Sequence, residues 1–486
     1  MMKTDEYASY DALGLKALLD AGEVSAIELH QVAQDAIETL NPSLNFLILD
    51  SAEEADRALS NLNLQAPFAG VPFLMKEGVG MAGQPAYLGS RLGKGLLCKT
   101  DSEIVRRLKN TGIITFGSTN TPEFGSSATT ESLAHGPARN PWNINHSTGG
   151  SSGGGSAAVA AGIVPIAQTS DGGGSIRTPA HCCGVFGLMP SRGRNPIGPN
   201  TFGGTFGIAR NHITSRSVRD SAAMLDQLHG SEPGALHRIE LPSRSFLGEV
   251  GADPGRLRIA FSTTAPSGQP VHPECVSGVM NAIKLCQDLG HQVEEAEPNY
   301  DWDLFFRAAV DHWSLLILAG IDRLEMDAGE KAGPDTMEWS TLAVRDLARS
   351  LSPERINTSF SNLHRIGRDI ECFFDHCDVL ITPVCTTPAP RLGILNSNEK
   401  GITADRWSEL GSSQFAPFPP VFNCGGQPSM SVPLHHSAEG LPVGVMCTAR
   451  VGDEATLFRL AAQFEQACPW IDRHPPVGLF THGSGR

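Results

Sequence analysis

The sequence predicts an α/β fold, in which a single large domain is built on a mixed central β-sheet flanked by helices. Apolar segments with strand character alternate with helical segments along most of the 486 residues. No internal repeat and no long low-complexity linker interrupts the chain, although its length would accommodate two or three average domains. Hydrophobic residues make up 40% and charged residues 18%, a balance typical of globular proteins.

The N-terminal region, about residues 1–66, is predicted to be largely helical. Ser25 and Glu28 have the spacing of a capping box, in which each side chain accepts a hydrogen bond from a backbone N–H. The helix is expected to end before Asn41-Pro42, because the residue before a proline disfavours helical backbone. An apolar stripe with helical spacing lies between: Leu29, Val32, Ala33, Ala36, Ile37 and Leu40.

Strands and helices then alternate. The segment GVPFLMK (70–76) predicts a short buried strand, and residues 101–112 predict a helix capped by Asp101 or Ser102. About residues 300–370, which are helical and rich in charges, predict an inserted helical cap or lid-forming segment. The remaining segments continue the alternation: strand 113–120, small-residue helix 156–163, strand 164–171, and the segments 257–263, 275–298, 377–383, 428–434 and 441–450.

The overall charge argues against two classes of partner. The chain has 37 Lys and Arg against 52 Asp and Glu, a net charge of −15, so neither nucleic acid nor an anionic membrane surface is expected. No stretch approaches 18 uninterrupted apolar residues and the first residues lack signal-peptide character, so no membrane span or signal peptide is predicted. The 11 scattered cysteines, with Cys182 and Cys183 adjacent, are typical of core thiols in a reducing cytosol, which favours a cytoplasmic protein.

Two glycine-rich runs that present serine, only 24 residues apart, are the most unusual feature of the sequence. The first (STGGSSGGGS) contains Ser151 and Ser152, and the second (SDGGGSIR) contains Ser175. A flexible linker is one interpretation, but segments with strand and helix character flank both runs closely. A phosphate-binding loop is another, but neither run continues into the lysine that such a loop needs.

Two further interpretations concern nucleophilic serine. Gly150 to Gly154 matches the G-x-S-x-G nucleophile elbow around Ser152, but the preceding residues (NPWNINHSTG) are predicted to be a loop rather than the strand that an elbow requires. Alternatively, the two runs form one site, in which glycines before Ser175 aim several N–H groups at a developing oxyanion. A serine hydroxyl needs a base, and Lys76, at the end of a predicted buried strand, is the candidate. Burial would lower its pKa, whereas a surface lysine paired with Glu77 would have no such role.

The chain resembles the amidase signature enzymes, which hydrolyse C–N bonds with a Ser–Ser–Lys triad. The similar segments follow one another in order over nearly the whole chain, 1–486 being taken as one amidase domain: FAGVPFLMKEGV, GSTNTPEFG, ARNPWN, STGGSSGGGSAAVAAG, SDGGGSIRTPA, GVFGLMPSRGR, TSRSVRDSAAMLD, DVLITPV and PFPPVFNCGGQPSMSVPL.

The resemblance implies a role for each site residue. Ser175 would be the nucleophile, Ser151 the bridging serine that follows a cis peptide bond in the family, and Lys76 the base. Glu77 stands where aspartate is usual, and Gly172 where a side chain is common. The other implied positions are the oxyanion-hole amides near Gly172, Gly173, Gly174 and Ser175, the loop-holding Ser152, Asp171 and Arg177, and Gly125 in substrate binding.

The implied reaction is acyl transfer to water through an acyl-enzyme, with no metal or organic cofactor. The segment LMPSRGRNPIGP resembles the branch that contains nylon-oligomer cyclic-dimer hydrolases and some urethanases. Residues 195–212 and 300–345 are expected to form an apolar pocket for aryl or alkyl amides, cyclic amides or carbamates. A monomer or homodimer acting on a small molecule is expected. The alternatives are a carbamate or ester hydrolase and the catalytic subunit of an amidotransferase assembly.

Overall fold

A mixed sheet of eleven strands forms the centre of the computed structural model, which describes residues 2–199 and 207–480. The strand order across the sheet is β1-β3-β2-β8-β10-β9-β14-β15-β13-β11-β12, and β4–β7 form two separate ribbons. The strands are β1 (Leu47–Asp50), β2 (Pro72–Lys76), β3 (Ile114–Thr119), β4 (Glu131–Ser132), β5 (Gly136–Pro137), β6 (Arg139–Asn140), β7 (Asn143–Ser147), β8 (Ile166–Asp171), β9 (Phe186–Met189), β10 (Arg210–Ser215), β11 (Arg258–Phe261), β12 (Gln292–Glu295), β13 (Val379–Pro383), β14 (Ser429–His436) and β15 (Pro442–Ala449).

Helices cover both faces of this sheet, so the predicted α/β fold is confirmed. They are α1 (Thr4–Ser9), α2 (Ala12–Ala21), α3 (Ala26–Leu44), α4 (Ala52–Ser60), α5 (Glu103–Asn110), α6 (Gly153–Ala160), α7 (Arg177–Cys183), α8 (Val218–Leu228), α9 (Pro273–Asp288), α10 (Trp302–Ala328), α11 (Trp339–Ser350), α12 (Pro353–Phe373), α13 (Ala404–Ser408), α14 (Pro420–Gly425) and α15 (Glu454–Ala467).

Strand β2 shows why its sequence is continuously apolar. Leu74 packs in a core with α3 and α6 on one face, whereas Phe73 and Met75 pack in a second core with α5 and α8 on the other. Successive side chains of a strand point to opposite faces, and here both faces are covered, so every residue of β2 is buried. By the same alternation Lys76, the last residue of β2, shares the face of Leu74.

The segment predicted to be a helical cap consists of three helices, α10, α11 and α12. Helix α10 packs against both α11 and α12. By length and composition α10 also qualifies as a membrane span, with a mean hydropathy of 1.4 over its most apolar 18 residues. Half of that window is buried inside the structure, and a core helix of a globular protein meets the same two criteria.

The structure differs from the sequence prediction at two places. Helix α3 has the predicted Ser25–Glu28 capping box, but it continues through Pro42 to Leu44. The last turn is retained because Leu44 is fully buried in the core and the N–H of Asn45, in a left-handed conformation, donates to the Asn41 carbonyl at 2.8 Å. The residues before Ser152, predicted to be a loop, contain β7, which pairs with β6 outside the central sheet.

Candidate active site

Lys76 and Asp171 lie at the same edge of the sheet because their strands are parallel neighbours. Strand β2 pairs with β8 in the register Phe73↔Ile166 and Leu74↔Ala167, and Lys76 and Asp171 are the last residues of the two strands. The first glycine run enters α6 above this edge, and the second run follows β8 directly. The two glycine-rich runs therefore meet at one site, as the two-serine interpretation predicts.

The ammonium nitrogen of Lys76 lies among three serine hydroxyls. Its Nζ donates to Ser151 Oγ at 2.8 Å, to Ser152 Oγ at 3.0 Å and to Ser170 Oγ at 3.1 Å. The Lys76 residue is 5% exposed. Burial lowers the pKa of Lys76 to about 7, while the nearby carboxylates of Asp171 and Glu77 favour the charged form.

Glu77 does not hold the Lys76 amine, contrary to the surface-pair alternative. Its carboxylate accepts hydrogen bonds from the backbone N–H groups of Leu88 at 2.6 Å and Gly89 at 2.7 Å. Burial raises the pKa of Glu77 to about 7, and these two hydrogen bonds oppose that change. Glu77 thus fixes the neighbouring loop, and it leaves the Lys76 amine to the serine hydroxyls.

Ser151 lies between Lys76 and a loop that contains Gly125. The Gly150–Ser151 peptide is cis, and the Ser151 carbonyl accepts a hydrogen bond from Thr121 Oγ1 at 3.0 Å. Gly125 has a left-handed φ of +63°, and a Cβ there would lie 3.3 Å from Ser151 Oγ. A larger residue at position 125 would therefore crowd the Ser151 hydroxyl.

Ser175 lies at the start of the turn into α7 and lines the same cavity as Lys76 and Ser151. Its carbonyl accepts a hydrogen bond from the Ser152 N–H at 3.3 Å, which joins the two glycine runs. Its side chain is half-buried, and within residues 2–199 and 207–480 its hydroxyl makes no hydrogen bond. The three predicted triad residues thus line one cavity, and the hydrogen bond between Lys76 and Ser151 is formed.

Asp171 and Arg177 flank the second glycine run and Ser175 and form a fully buried ion pair. Arg177 Nη2 donates to Asp171 Oδ1 at 2.9 Å and Arg177 Nε donates to Oδ2 at 3.0 Å. Burial would raise the pKa of Asp171, but the charge and hydrogen bonds of Arg177 outweigh it and hold that pKa well below its usual range. Asn423 donates to the same carboxylate at 2.8 Å.

One predicted oxyanion donor is already engaged. The Gly174 N–H donates to Asp171 Oδ1 at 2.6 Å, so it is not free to bind a substrate oxygen in this conformation. Gly174 has instead a steric role: its φ is +127°, and a Cβ there would lie 2.9 Å from Thr178 Oγ1 and 3.0 Å from Pro419 Cβ. The backbone N–H groups of Gly172, Gly173 and Ser175 therefore remain as the predicted oxyanion donors.

The cavity in front of these residues has a volume of about 1070 Å³. Both segments expected to form its walls contribute, through residues such as Ile197 and Ile208 and through α10; residues 200–206 lie outside the described part of the chain. Two further segments that the sequence analysis did not identify also line it, 86–104 and 395–416. The cavity lining includes several large apolar side chains: Leu88, Phe124, Trp313, Leu316, Ile317, Trp407 and Leu410.

The structure adds residues that sequence reasoning missed. Ser170 lies one residue before Asp171, and only the pairing of β8 with β2 brings it to Lys76. Asn423, in α14, is about 250 residues from its partner Asp171, and its contact had no local sequence signal. Within the described ranges, no group of three or more His, Cys, Asp or Glu side chains is arranged to hold a metal ion.

The match to a known protein family decides the classification. A family model described as Amidase matches residues 28–458, which is most of the chain. The chain belongs to the amidase family. It is an amide hydrolase that acts on carbon–nitrogen bonds other than peptide bonds.

Relatives of this amidase match along nearly their whole lengths. The 6-aminohexanoate-cyclic-dimer hydrolase of Paenarthrobacter ureafaciens is 35% identical over 480 residues, with 96% of each chain covered. A solved structure of a 6-aminohexanoate cyclic dimer hydrolase superposes with a TM-score of 0.92 at 33% identity, covering 97% of this amidase and 99% of that chain. A bacterial aryl acylamidase of the amidase signature family gives 0.85 at 25% identity, with 95% and 96% covered.

Proposed function

We propose that this amidase hydrolyses its substrate through an acyl-enzyme on Ser175, with Lys76 as the base and Ser151 as the proton relay. The observation that carries the proposal is the buried Lys76 amine, 2.8 Å from Ser151 Oγ, with its pKa lowered to about 7. A lysine becomes a useful base near neutral pH only when its neutral form is populated. Ser175 adjoins this pair at the cavity.

The first half of the reaction forms the acyl-enzyme. Neutral Lys76 accepts the proton of Ser151 as Ser151 accepts the proton of Ser175, and Ser175 Oγ bonds to the substrate carbonyl carbon. The C=O electron pair moves to oxygen. When the resulting oxyanion collapses, the C–N bond breaks and the leaving nitrogen receives the proton from Lys76 through Ser151. Among the described residues the Ser175 hydroxyl makes no hydrogen bond to Ser151, which fits this scheme because catalytic hydrogen bonds often form only when substrate binds.

The second half releases the acid. Water attacks the acyl carbon and gives its proton to Lys76 through Ser151. When the second oxyanion collapses, the bond to Ser175 breaks, Ser175 Oγ takes that proton back through Ser151, and the carboxylic acid leaves. We assign stabilisation of both oxyanions to the backbone N–H groups of Gly172, Gly173 and Ser175. Asp171 and Arg177 hold these amides in place, because Asp171 also accepts from the N–H of Ile176 at 3.0 Å.

The proposed substrates are apolar aryl or alkyl amides, cyclic amides or carbamates. Large apolar side chains such as Trp313, Ile317 and Trp407 line the cavity, and its volume exceeds what a small amide would fill. Carbamate or ester hydrolysis is the alternative, since the same acyl-enzyme chemistry serves all three bonds. A catalytic subunit of an amidotransferase is the other alternative. We place the amidase in the cytoplasm as a monomer or homodimer.

The test is a substrate panel ranked by kcat/KM. It contains anilides, linear and cyclic aliphatic amides, carbamates and esters of matched acyl groups, with Ser175→Ala as the inactive control. The proposal predicts turnover of apolar amides that the control lacks. Turnover that the control retains, or a preference for charged short amides, would contradict it. Ester or carbamate turnover far above amide turnover would favour the alternative.

A further inference from the structure

We propose that Trp313 is a positioning residue for the oxyanion hole, acting through the Gly172–Gly173 peptide. The inference rests on the proposed function, since it concerns how that site holds its transition state. Trp313 lies on α10, about 140 residues from the nucleophile loop in sequence, and it lines the active-site cavity. Among the described residues, its hydrogen bond to Gly172 joins the helical segment 300–370 directly to the second glycine run.

The contact is specific in two ways. The Trp313 indole Nε1–H donates to the Gly172 carbonyl at 3.2 Å. The six-membered part of the same ring lies 3.1 Å from the point where a Cβ on Gly173 would stand, so the ring packs against this peptide. One side chain therefore both hydrogen-bonds the peptide and covers it.

The carbonyl of Gly172 and the N–H of Gly173 belong to one planar peptide group. In a trans peptide the C=O and N–H point in opposite directions, so a hydrogen bond that fixes the carbonyl also fixes the direction of the N–H. Chains of hydrogen bonds polarise one another, so a donor on the Gly172 carbonyl strengthens Gly173 as a donor. The loop is fixed from its other end by Asp171, which accepts from the Gly174 N–H at 2.6 Å.

The packing of Trp313 suits this role. Its side chain packs against two apolar clusters. One includes Leu363 of α12 and the other includes Leu342 of α11, so the ring has little room to rotate. A glycine peptide between two glycines has no side chain of its own to orient it, because Gly172 and Gly173 lack Cβ atoms. Trp313 supplies from outside the loop the restraint that the loop sequence lacks.

The test removes the indole N–H while keeping the ring. Trp313→Phe is one variant, and replacement of Trp313 by benzothienylalanine, an isostere with sulfur in place of N–H, is the second. The second keeps the result interpretable if phenylalanine leaves a gap that destabilises the fold. Leu316→Ala, on the same cavity wall, is the matched control. For each enzyme we would measure kcat, KM and thermal stability with the best substrate of the panel, and the Kd of a boronic acid that mimics the tetrahedral intermediate.

The expected result is a kcat about 3- to 10-fold lower for both Trp313 variants, with KM within about 2-fold of wild type, as the loss of one hydrogen bond predicts. Boronic acid affinity should fall by the same factor as kcat/KM, whereas Leu316→Ala should act mainly on KM. Wild-type kcat and boronic acid affinity in the benzothienylalanine variant would overturn the inference, as would a change in KM alone. A wild-type enzyme without turnover would overturn the proposed function, and this inference with it.

Discussion

The three hydroxyls around Lys76 fit both protonation states of its amine. An ammonium group donates three hydrogen bonds, and Ser151, Ser152 and Ser170 each supply an acceptor within 3.1 Å. A neutral amine donates two and accepts one, so a rotation of one hydroxyl is enough to satisfy it. The site can therefore gain and lose the Lys76 proton without leaving a buried polar group unpaired, which would be costly.

Activity should rise with pH through about 7. The folded-state pKa of Lys76 is lowered to about 7, so the amine is charged and inactive below that pH and neutral above it. A profile of log kcat/KM against pH, with a substrate for which chemistry is rate-limiting, should show an acid limb of slope one that levels near this value. A flat profile from pH 5 to 9 would contradict Lys76 as the base.

The triad variants should differ in severity. Ser175→Ala removes the atom that bonds to the acyl group, and Lys76→Ala removes the base, so each should reduce kcat nearly to the level left by the oxyanion donors. Ser151→Ala leaves both ends intact, and a water can occupy the place of its hydroxyl. It should retain about 10- to 100-fold more activity than Ser175→Ala, since one proton-transfer group is worth about 10²–10⁴-fold. A kcat near wild type in Ser151→Ala would count against the relay.

At the residue scale, the sequence predicts which residue types lie at the site but not which partners they contact. The glycine runs and the terminal lysine of β2 pointed to a joined site, because residue types and strand ends are visible in the chain. The role of Ser170 depends on the register of β8 against β2, which no local pattern fixes. The Gly174 amide was predicted as a free donor, but the Asp171 carboxylate turns back onto its own loop and takes it.

At the scale of the element, the glycines of the run before Ser175 differ in how well they would tolerate a side chain. A Cβ on Gly174 would clash at 2.9 Å and would force a φ of +127° on a residue with a side chain. A Cβ on Gly172 would meet, among the described residues, Ala209 Cβ alone, at 3.9 Å. Gly174→Ala should therefore lower kcat/KM by about 100-fold or more, because small misplacements of reacting groups are costly.

Gly172→Ala is the matched control in the same loop. It should fold, retain activity within a few-fold and gain about 0.4–1 kcal/mol of unfolding free energy, since alanine restricts the unfolded chain more than glycine does. Urea unfolding with steady-state kinetics on both variants measures the contrast. Equal loss of activity in the two variants would refute the steric account of Gly174.

The elements themselves were largely predictable. Strands buried on both faces are continuous apolar runs, and the capping box of α3 is a local signal. The end of α3 was not predictable, because burial of Leu44 in the tertiary core outweighs the local effect of Pro42.

At the scale of the whole molecule, a second buried ion pair holds distant parts of the chain together. Arg194 follows β9, and Glu454 opens α15; the two side chains are almost fully buried and joined at 2.9 Å and 3.1 Å. Glu454 also accepts from the Ser191 N–H at 2.9 Å. Neither residue lines the active-site cavity.

Glu454→Leu should lower the unfolding free energy by about 3–5 kcal/mol, because it leaves the Arg194 charge buried without its partner. The double variant with Arg194→Met should be less destabilised than Glu454→Leu alone, because no lone charge is then buried. Denaturant unfolding of the two variants tests this, with kcat of the folded fraction near wild type. A double variant less stable than the single would contradict it.

At this scale, the sequence does not predict which segments form the cavity walls. They come from segments as far apart as 86–104 and 395–416, which meet only after the sheet and α10 have assembled. Loop residues have no periodicity that would reveal such a meeting, so the chemistry of the site was more predictable than the shape of its substrate pocket.

The central claim, an acyl-enzyme on Ser175, is tested most directly by trapping the nucleophile with a fluorophosphonate. Trypsin would leave Ser151, Ser152 and Ser175 on one peptide, 140–177, whereas cleavage before aspartates separates 101–170 from 171–219. Mass spectrometry of the wild type should place one adduct on 171–219, at Ser175, and Lys76→Ala should acquire it much more slowly. An adduct on 101–170, at Ser151 or Ser152, would contradict the account and favour a nucleophile in the first glycine run.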